Sequence, residues 1–368
     1  MIGRVAVVGG GIAGLAASYQ LMRAGVRTVV IYEREPTVFT HSSGRNAAIF
    51  RPLDIDGAVS SLVARSGELL DELMGMRSRW LYAMPLLLLA EQARTLEPLL
   101  ATAESLAVEV SLLESEQLLW RAPLLKGGAV KYALEIPGAG VLNTHAIAMQ
   151  LSCALRALGG VLRVRSRVVR VDQTNGRVTG VALSNGEVQV YDAVVVASGA
   201  WSNELSATAG SRLPLMPLRR HLALLDDIAP PLMPILWDIE REFYFRAESA
   251  AILASPGDAE EVDALSYATD PRALEVLYDK ALRVAPRIAG AGVRRLWACF
   301  RTLAPDGLPV IGEDAKVRGL YWLAGLGGFG MSAGLAAGEV LARTLLDRAR
   351  PRDALFSPRR FAPQRGRP

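Results

Sequence analysis

Short apolar runs that stop at glycine recur along the chain. Arg4–Val8 reads RVAVV, Thr28–Tyr32 reads TVVIY, and residues 193–197 and 320–324 read AVVVA and LYWLA. Runs of this length that are apolar at every position predict strands of a parallel sheet covered on both faces. Between the first two, residues 13–24 have helical composition, and Gly25 stands where a C-terminal cap belongs. The opening thirty residues therefore predict strand, turn, helix, strand. A further helix is predicted over 144–158, ending at Gly159-Gly160, followed by three strands whose turns, TNGR and SNGE, fit β-hairpins. The pattern changes from Leu213 to about Arg294. Prolines, short alternating stretches such as FYFRAESAAILAS and a helix around 271–284 predict a separate antiparallel-sheet domain. The run PLLLLA at 85–90 is strand-sized. The fold class is α/β, with nucleotide-binding elements at the start, middle and end of the chain and the second domain interleaved.

The glycines after the first strand carry the first chemical signal. Gly9-Gly10-Gly11-Ile12-Ala13-Gly14 fits G-x-G-x-x-G. In that pattern Gly9 permits the tight turn and Gly11 lets a pyrophosphate approach the helix N-terminus. Gly14 allows close helix–strand packing. The motif follows a strand and opens a helix, and Glu33 ends the second strand, placed to accept hydrogen bonds from ribose hydroxyls. An acidic group there disfavours a 2′-phosphate, so FAD or NAD is expected rather than NADP.

Composition narrows the picture. With 368 residues, half of them hydrophobic, the chain can bury a large core. Two cysteines, Cys153 and Cys299, argue against a disulfide framework and for a reducing cytoplasm. The net charge of +4 is concentrated in the last 22 residues, which hold seven Arg and two Asp. No basic face with interleaved aromatics points to nucleic acid, and no apolar stretch reaches the roughly 18–20 residues of a membrane span. The tail is expected to be partly ordered, with solvated arginines. No metal-ligand set is expected.

Later segments decide between the cofactors. HSSGRNAAIFRP, VVVASGAWS, FRTLAPDGLPVIG and GLGGFGMSAGLAAGE follow the glycine motif in that order. With it they make the chain resemble the D-amino-acid oxidase superfamily of flavoenzymes, which includes glycine oxidase, sarcosine oxidase and the bacterial D-amino-acid dehydrogenases. HSSGRNAA and the terminal SPRRF most resemble D-arginine dehydrogenase and its relatives. The resemblance covers nearly the whole chain. It implies FAD, a p-hydroxybenzoate-hydroxylase-like two-domain fold, and oxidation of an amine carbon by hydride transfer to flavin N5. On this basis residues 1–84, 138–212 and 295–350 are expected to form a Rossmann-like FAD-binding domain. Residues 85–137 and 213–294 are expected to form the antiparallel-sheet substrate domain, and 351–368 the basic tail.

Site residues follow from both sources. Arg34 follows Glu33 at the dinucleotide edge. Ser42, Ser43, Arg45, Asn46 and Ala47 form a small, polar and cationic patch suited to the pyrophosphate and flavin edge. The resemblance adds Val168 to the cofactor set. Ser198 and Gly199 end a parallel strand, where such sheets bind ligands, with Trp201 just beyond, a residue suited to packing. Gly327, Gly328, Phe329, Gly330 and Met331 open a small-residue helix whose positive end suits the negative charge gathered on reduced flavin.

Arg301 is the carboxylate clamp, because a guanidinium matches a carboxylate bidentately; the resemblance also places it in the cofactor wall. Tyr244 aligns with a family tyrosine that helps hold the carboxylate, and Arg219 or Arg220, of which Arg220 is taken as the site residue, approaches from PLRRHLALL. His221 is read as a sheet-face polar residue. A strand through WACFRT would place Cys299 and Arg301 on one face, and Cys299 aligns with a position where sarcosine oxidase attaches its flavin. After GRNAA the chain departs from D-arginine dehydrogenase, holding Ile49, Phe50, Arg51, Pro52, Leu53 and Asp54. That puts arginine as substrate in doubt, and the charge of Arg51 suits a second carboxylate. The expected substrate is an amino acid, of D configuration by the resemblance. The alternatives are a secondary amine of the sarcosine, proline or opine type, in some cases within a complex, or a flavin-binding accessory role without amino-acid turnover. Oxygen or a quinone as acceptor, and monomer or homo-oligomer as state, stay open.

Overall fold

A computed structural model of the chain describes residues 2–226, 233–262 and 265–362. Its first large sheet runs in the order Val310–Glu313, Leu320–Ala324, Ala193–Val196, Arg4–Val8, Thr28–Tyr32, Val161–Arg163. Every neighbouring pair is parallel except the outermost, Val310–Glu313 with Leu320–Ala324. The apolar runs need cover on both faces, and the alternation of side chains shows where each finds it. Val5, Val7, Val29, Ile31 and Val195 pack against the helices Ile12–Arg23, Gly57–Met74 and Gly330–Leu345. Their neighbours Ala6, Val8, Val30, Tyr32 and Val196 pack against a three-stranded antiparallel sheet, Val168–Thr174, Arg177–Leu183 and Val188–Val190. The first hairpin of that sheet turns on Asn175 and Gly176, both at positive φ, as a tight two-residue turn requires. The segment after helix Thr144–Ala157 thus holds four strands rather than three, because Val161–Arg163 joins the parallel sheet.

The second large sheet has nine strands and is mostly antiparallel. From Glu260–Glu261 it runs through Met216–Leu225, Ala251–Ser255, Phe243–Glu248, Ile235–Asp238, Leu86–Ala90 and Tyr132–Ile136 to Ser111–Glu114. One pair, Ile235–Asp238 with Leu86–Ala90, is parallel. Val293–Leu303 pairs along Met216–Leu225 in the same sheet. The strand heading the expected 295–350 segment thus joins the second large sheet by its hydrogen bonds. Composition could not reveal this, since an apolar strand reads the same in either sheet.

Period-two alternation sorts the second sheet too. Leu87, Leu89, Leu236, Phe243 and Phe245 face the helix Arg272–Val284. Leu86, Leu88, Trp237, Tyr244, Leu222 and Cys299 face the other way, toward Ala47 and Leu53 of the loop after the second strand. The C-terminal segment departs from a solvated tail over its described part. Arg360 pairs with Asp306 and donates to the Leu308 carbonyl, and Phe356 is buried. Residues 363–368 lie outside the described residues. Among the described residues, no helix is long and apolar enough to cross a membrane.

Candidate active site

A cavity of about 670 Å³ lies between the two large sheets, within the roughly 300–1,000 Å³ of small-molecule and cofactor sites. The carboxyl ends of four parallel strands open into it and supply Gly9, Glu33, Ser198 and the turn 325–328. Two helices also begin there. Ile12–Arg23 starts at Gly11 and Gly330–Leu345 at Phe329, and neither of these two residues caps its helix with its own side chain. Small residues hold these helices together: a Cβ on Gly334 would stand 2.6 Å from Ile12 Cγ1, and one on Gly338 2.7 Å from the Ala16 backbone. Close approach brings two positive helix ends to one cavity.

The glycine motif is packed as its spacing predicts. Gly9 has φ +114°, and an added Cβ would meet the Ala197 carbonyl oxygen at 2.5 Å. Gly14 lies behind the cavity wall, its would-be Cβ 1.8 Å from the Gly9 oxygen. Glu33 is buried and accepts the Gly10 N–H at 2.6 Å and the Glu35 N–H at 2.8 Å, one on each carboxylate oxygen. Ser43 Oγ accepts the Ile12 N–H at 3.0 Å. Ser42 donates to the Phe300 carbonyl at 2.8 Å, which fastens the loop to the strand one residue before Arg301. Asn46 donates to the Ser42 and Ser43 carbonyls and accepts from the Ala48 N–H, so it shapes that loop from within. Trp297 Nε1 donates to the Arg45 carbonyl and Arg246 Nε to the Ala47 carbonyl, two further ties to the second sheet.

Of the residues expected from sequence, Ile12, Ala13, Arg34, Ala47, Val168, Gly199, Trp201, Gly330 and Met331 also line the cavity. Trp201 packs beneath the Arg34 guanidinium, 3.9 Å from its ring centroid, and beside His41 at 4.8 Å. Arg45 is turned away from the cavity wall. Its guanidinium lies 4.3 Å over the Tyr267 ring and its Nε donates to the Thr40 carbonyl. Tyr267, which stacks on His41 at 5.1 Å, was not legible as a site neighbour, because it arrives from a remote loop of the second domain.

The other end of the cavity belongs to the second sheet. Arg301 and Cys299 share a face of Val293–Leu303, and Arg220 is directly opposite Cys299 on Met216–Leu225. Arg301 Nη2 donates to the Tyr244 hydroxyl oxygen at 3.2 Å. Among the described residues Arg301 forms no salt bridge with a carboxylate. The turn at Gly327 docks here through its N–H to the Thr302 carbonyl at 2.9 Å. A Cβ on the next residue, Gly328, would crowd Arg301 Nη1 at 3.2 Å.

Arg220 sits behind the cavity wall. It is buried, its Nε donates to the Asp258 carbonyl, Nη1 lies 3.8 Å from Glu242, and burial together with Arg301 lowers its pKa. Arg219 points to the other face and pairs with Glu260. His221, also on that face, lies 2.5 Å from Asp258 through Nδ1 and accepts the Asp270 N–H at Nε2, a closed structural pair. Cys299 is a free thiol on the cavity wall, and burial pushes its pKa up. Sequence reasoning missed Trp237, whose ring lies 4.5 Å from that of Tyr244. No local signal marks it, because its place depends on which strands become neighbours.

The residues present fit FAD. Ser198 Oγ is buried on the cavity wall without a hydrogen-bond partner among the described residues. The wall at Gly9 and Gly11 is bare backbone, and two helix starts face the cavity, the first with its Ile12 N–H held by Ser43.

Comparison with known proteins agrees. A family model described as DAO, FAD dependent oxidoreductase, matches residues 4–344. Glycine oxidase of Pseudomonas putida is 30% identical over 337 residues, covering 86% of this chain and 87% of that protein. The 4-methylaminobutanoate oxidase (formaldehyde-forming) of Paenarthrobacter nicotinovorans is 26% identical. Its match covers 93% of this chain and 43% of that larger protein. The crystal structure of L-proline dehydrogenase from P. horikoshii superposes with a TM-score of 0.89 over 98% of both chains at 20% identity. The chain belongs to the DAO family and is an FAD-dependent oxidoreductase.

Proposed function

We propose that this enzyme oxidises the amine carbon of an amino acid or N-substituted amino acid, with Arg301 and Tyr244 holding the substrate carboxylate. The observation that carries this is a guanidinium on the cavity wall, hydrogen-bonded to a phenol and with no carboxylate partner among the described residues. A cation so placed is completed by a bound anion, and a bidentate pair fixes orientation as well as affinity. The similarity to glycine oxidase and to 4-methylaminobutanoate oxidase supports an amine bearing a carboxylate.

In the reaction the substrate C–H bond breaks, its electron pair leaving as hydride. The nitrogen lone pair closes the C=N bond of an imine, and a proton leaves nitrogen. Bound FAD supplies the acceptance of that hydride. Water then adds to the imine to give a carbonyl acid and an amine or ammonia. The glycine wall from Gly9 to Gly14, Glu33, Ser42, Ser43 and Ser198 would hold the dinucleotide, with the turn from Gly327 to Met331 against the flavin. A preference for D enantiomers rests on the sequence resemblance alone.

The test is anaerobic reduction of the purified holoenzyme by a panel of D-, L- and N-substituted amino acids, followed as loss of the yellow colour. Bleaching by carboxylate-bearing amines and not by the same amines lacking the carboxylate is the expected result. Bleaching indifferent to the carboxylate would remove Arg301 from the proposal.

A further inference from the structure

Arg301 and Tyr244 account for one carboxylate, yet the same end of the cavity holds more donors. Arg51 lines it with its side chain 15% exposed, lying 4.5 Å over the Trp237 ring and 4.3 Å over the Phe329 ring. It pairs through Nη2 with Asp54, while Nε and Nη1 donate to nothing among the described residues. Asp54 is itself held in place. Its Oδ1 accepts the Asp56 N–H, and its own N–H donates to Ser60 at the start of helix Gly57–Met74. Its part is to orient the guanidinium. Trp237 adds a second unmet donor: its Nε1–H is buried without an acceptor among the described residues. Leaving a buried donor unpaired is costly, so the Trp237 Nε1–H, beside the open N–H groups of Arg51, marks where an acceptor is meant to sit.

Charges of both signs surround Arg51. Burial lowers its pKa most, Asp54 and Glu242 oppose that, and Arg301 adds to it. Asp54 and Glu242 line the same cavity and balance the two guanidinia in net charge, so a second carboxylate would be met by the open N–H groups of Arg51 rather than by the net field. The two guanidinia also flank a pair of rings, Arg51 over Trp237 and Arg301 over Tyr244, with the rings 4.5 Å apart. Two anionic groups could be met at once, with the amine carbon between them.

We infer that Arg51, with the Trp237 indole beside it, recognises a second carboxylate, so that the substrate is an amine bearing two carboxylates: an acidic amino acid or an N-(carboxyalkyl) amino acid. This rests on the amine-oxidising reading above. Proline at position 52 and the Asp54 contact pre-organise the guanidinium, which reduces the entropy lost when it binds.

The experiment compares matched pairs on the full-length holoenzyme: iminodiacetate against sarcosine, and D- and L-aspartate against D- and L-alanine. At least tenfold higher kcat/KM for one of the dicarboxylates is expected. Arg51→Gln should shrink that ratio at least tenfold, chiefly through KM, and Trp237→Phe should shrink it by a few-fold, with FAD content reporting that each variant is folded. Equal rates within each pair, or an Arg51→Gln variant whose ratio is unchanged, would overturn the assignment of Arg51 while leaving amine oxidation standing. A holoenzyme bleached by no amine overturns both.

Discussion

The two ends of the cavity are built in opposite ways. The dinucleotide end comes mainly from the first fifty residues, and its polar groups are largely satisfied by the chain itself: Glu33 takes two backbone N–H groups and Ser43 takes a third. The end proposed for the substrate is assembled from residues 51, 237, 244 and 301, on four segments, and leaves N–H groups of Arg51 and Trp237 without acceptors among the described residues. The first end is shaped by backbone, which tolerates almost no added volume at Gly9 and Gly14. On the proposed reading the second recognises by charge, so removing a donor should cost affinity without disturbing the fold.

That contrast can be broken at either end. The largest effect is expected at Gly14, where a methyl group would lie 1.8 Å from the Gly9 carbonyl oxygen, with only backbone to yield. Gly14→Ala should lose its FAD, and with it all turnover, and should be destabilised by about 1–3 kcal/mol or more. Measured flavin content and Tm check this, and a yellow, stable variant would show that the motif is not packed as described.

Arg301→Ala should do the reverse, keeping its flavin while kcat/KM falls. Removing one partner of a buried charged pair costs about 2–5 kcal/mol, or roughly 30- to several-thousand-fold. The loss should appear mainly in KM. Steady-state kinetics with flavin content on the same preparation decide it, and flavin lost in step with activity would erase the difference between the two ends.

The smallest effect tests the frame outside both. Glu339 bridges Arg65 and Arg343, at 2.8 and 2.9 Å, and so ties helix Gly57–Met74 to helix Gly330–Leu345. Burial raises its pKa, but the two arginines outweigh burial and hold it below the ordinary carboxylate range. A depressed carboxylate stabilises the fold at pH values above its unfolded pKa of about 4.3, and that contribution is lost as pH falls through the folded value. Glu339→Gln should lower Tm at neutral pH by the equivalent of no more than about 1 kcal/mol, with kcat/KM unchanged. The gap to the parent protein should close on acidification below about pH 4. A gap that widens in acid would contradict the assignment.

Legibility followed the same division. The strand–turn–helix–strand opening, the helix ending at Gly159 and the hairpin at Asn175-Gly176 could be read directly, because each is set by neighbours in sequence. The helix Gly57–Met74 was not read, although Asp56 caps it and Gly75 ends it at φ +76°. Its apolar stripe is interrupted by Ser60 and Ser66, which the fold buries. The tail arginines read as solvated, and one of them, Arg360, proved to be bound to Asp306.

By itself the sequence determined the class of fold, the glycine turn that opens the first helix, and the placing of Arg301 two residues from Cys299 on one strand face. These depend on backbone propensity, on glycine geometry and on period-two alternation, all of which act over a few residues. Only the tertiary structure decided that Val293–Leu303 pairs into the second sheet, that Arg220 lies behind the cavity wall, and that Arg51, Trp237, Tyr244 and Arg301 share one chamber. Strand neighbours are chosen by burial across the whole chain, and no local pattern encodes which of two apolar strands will lie beside a third.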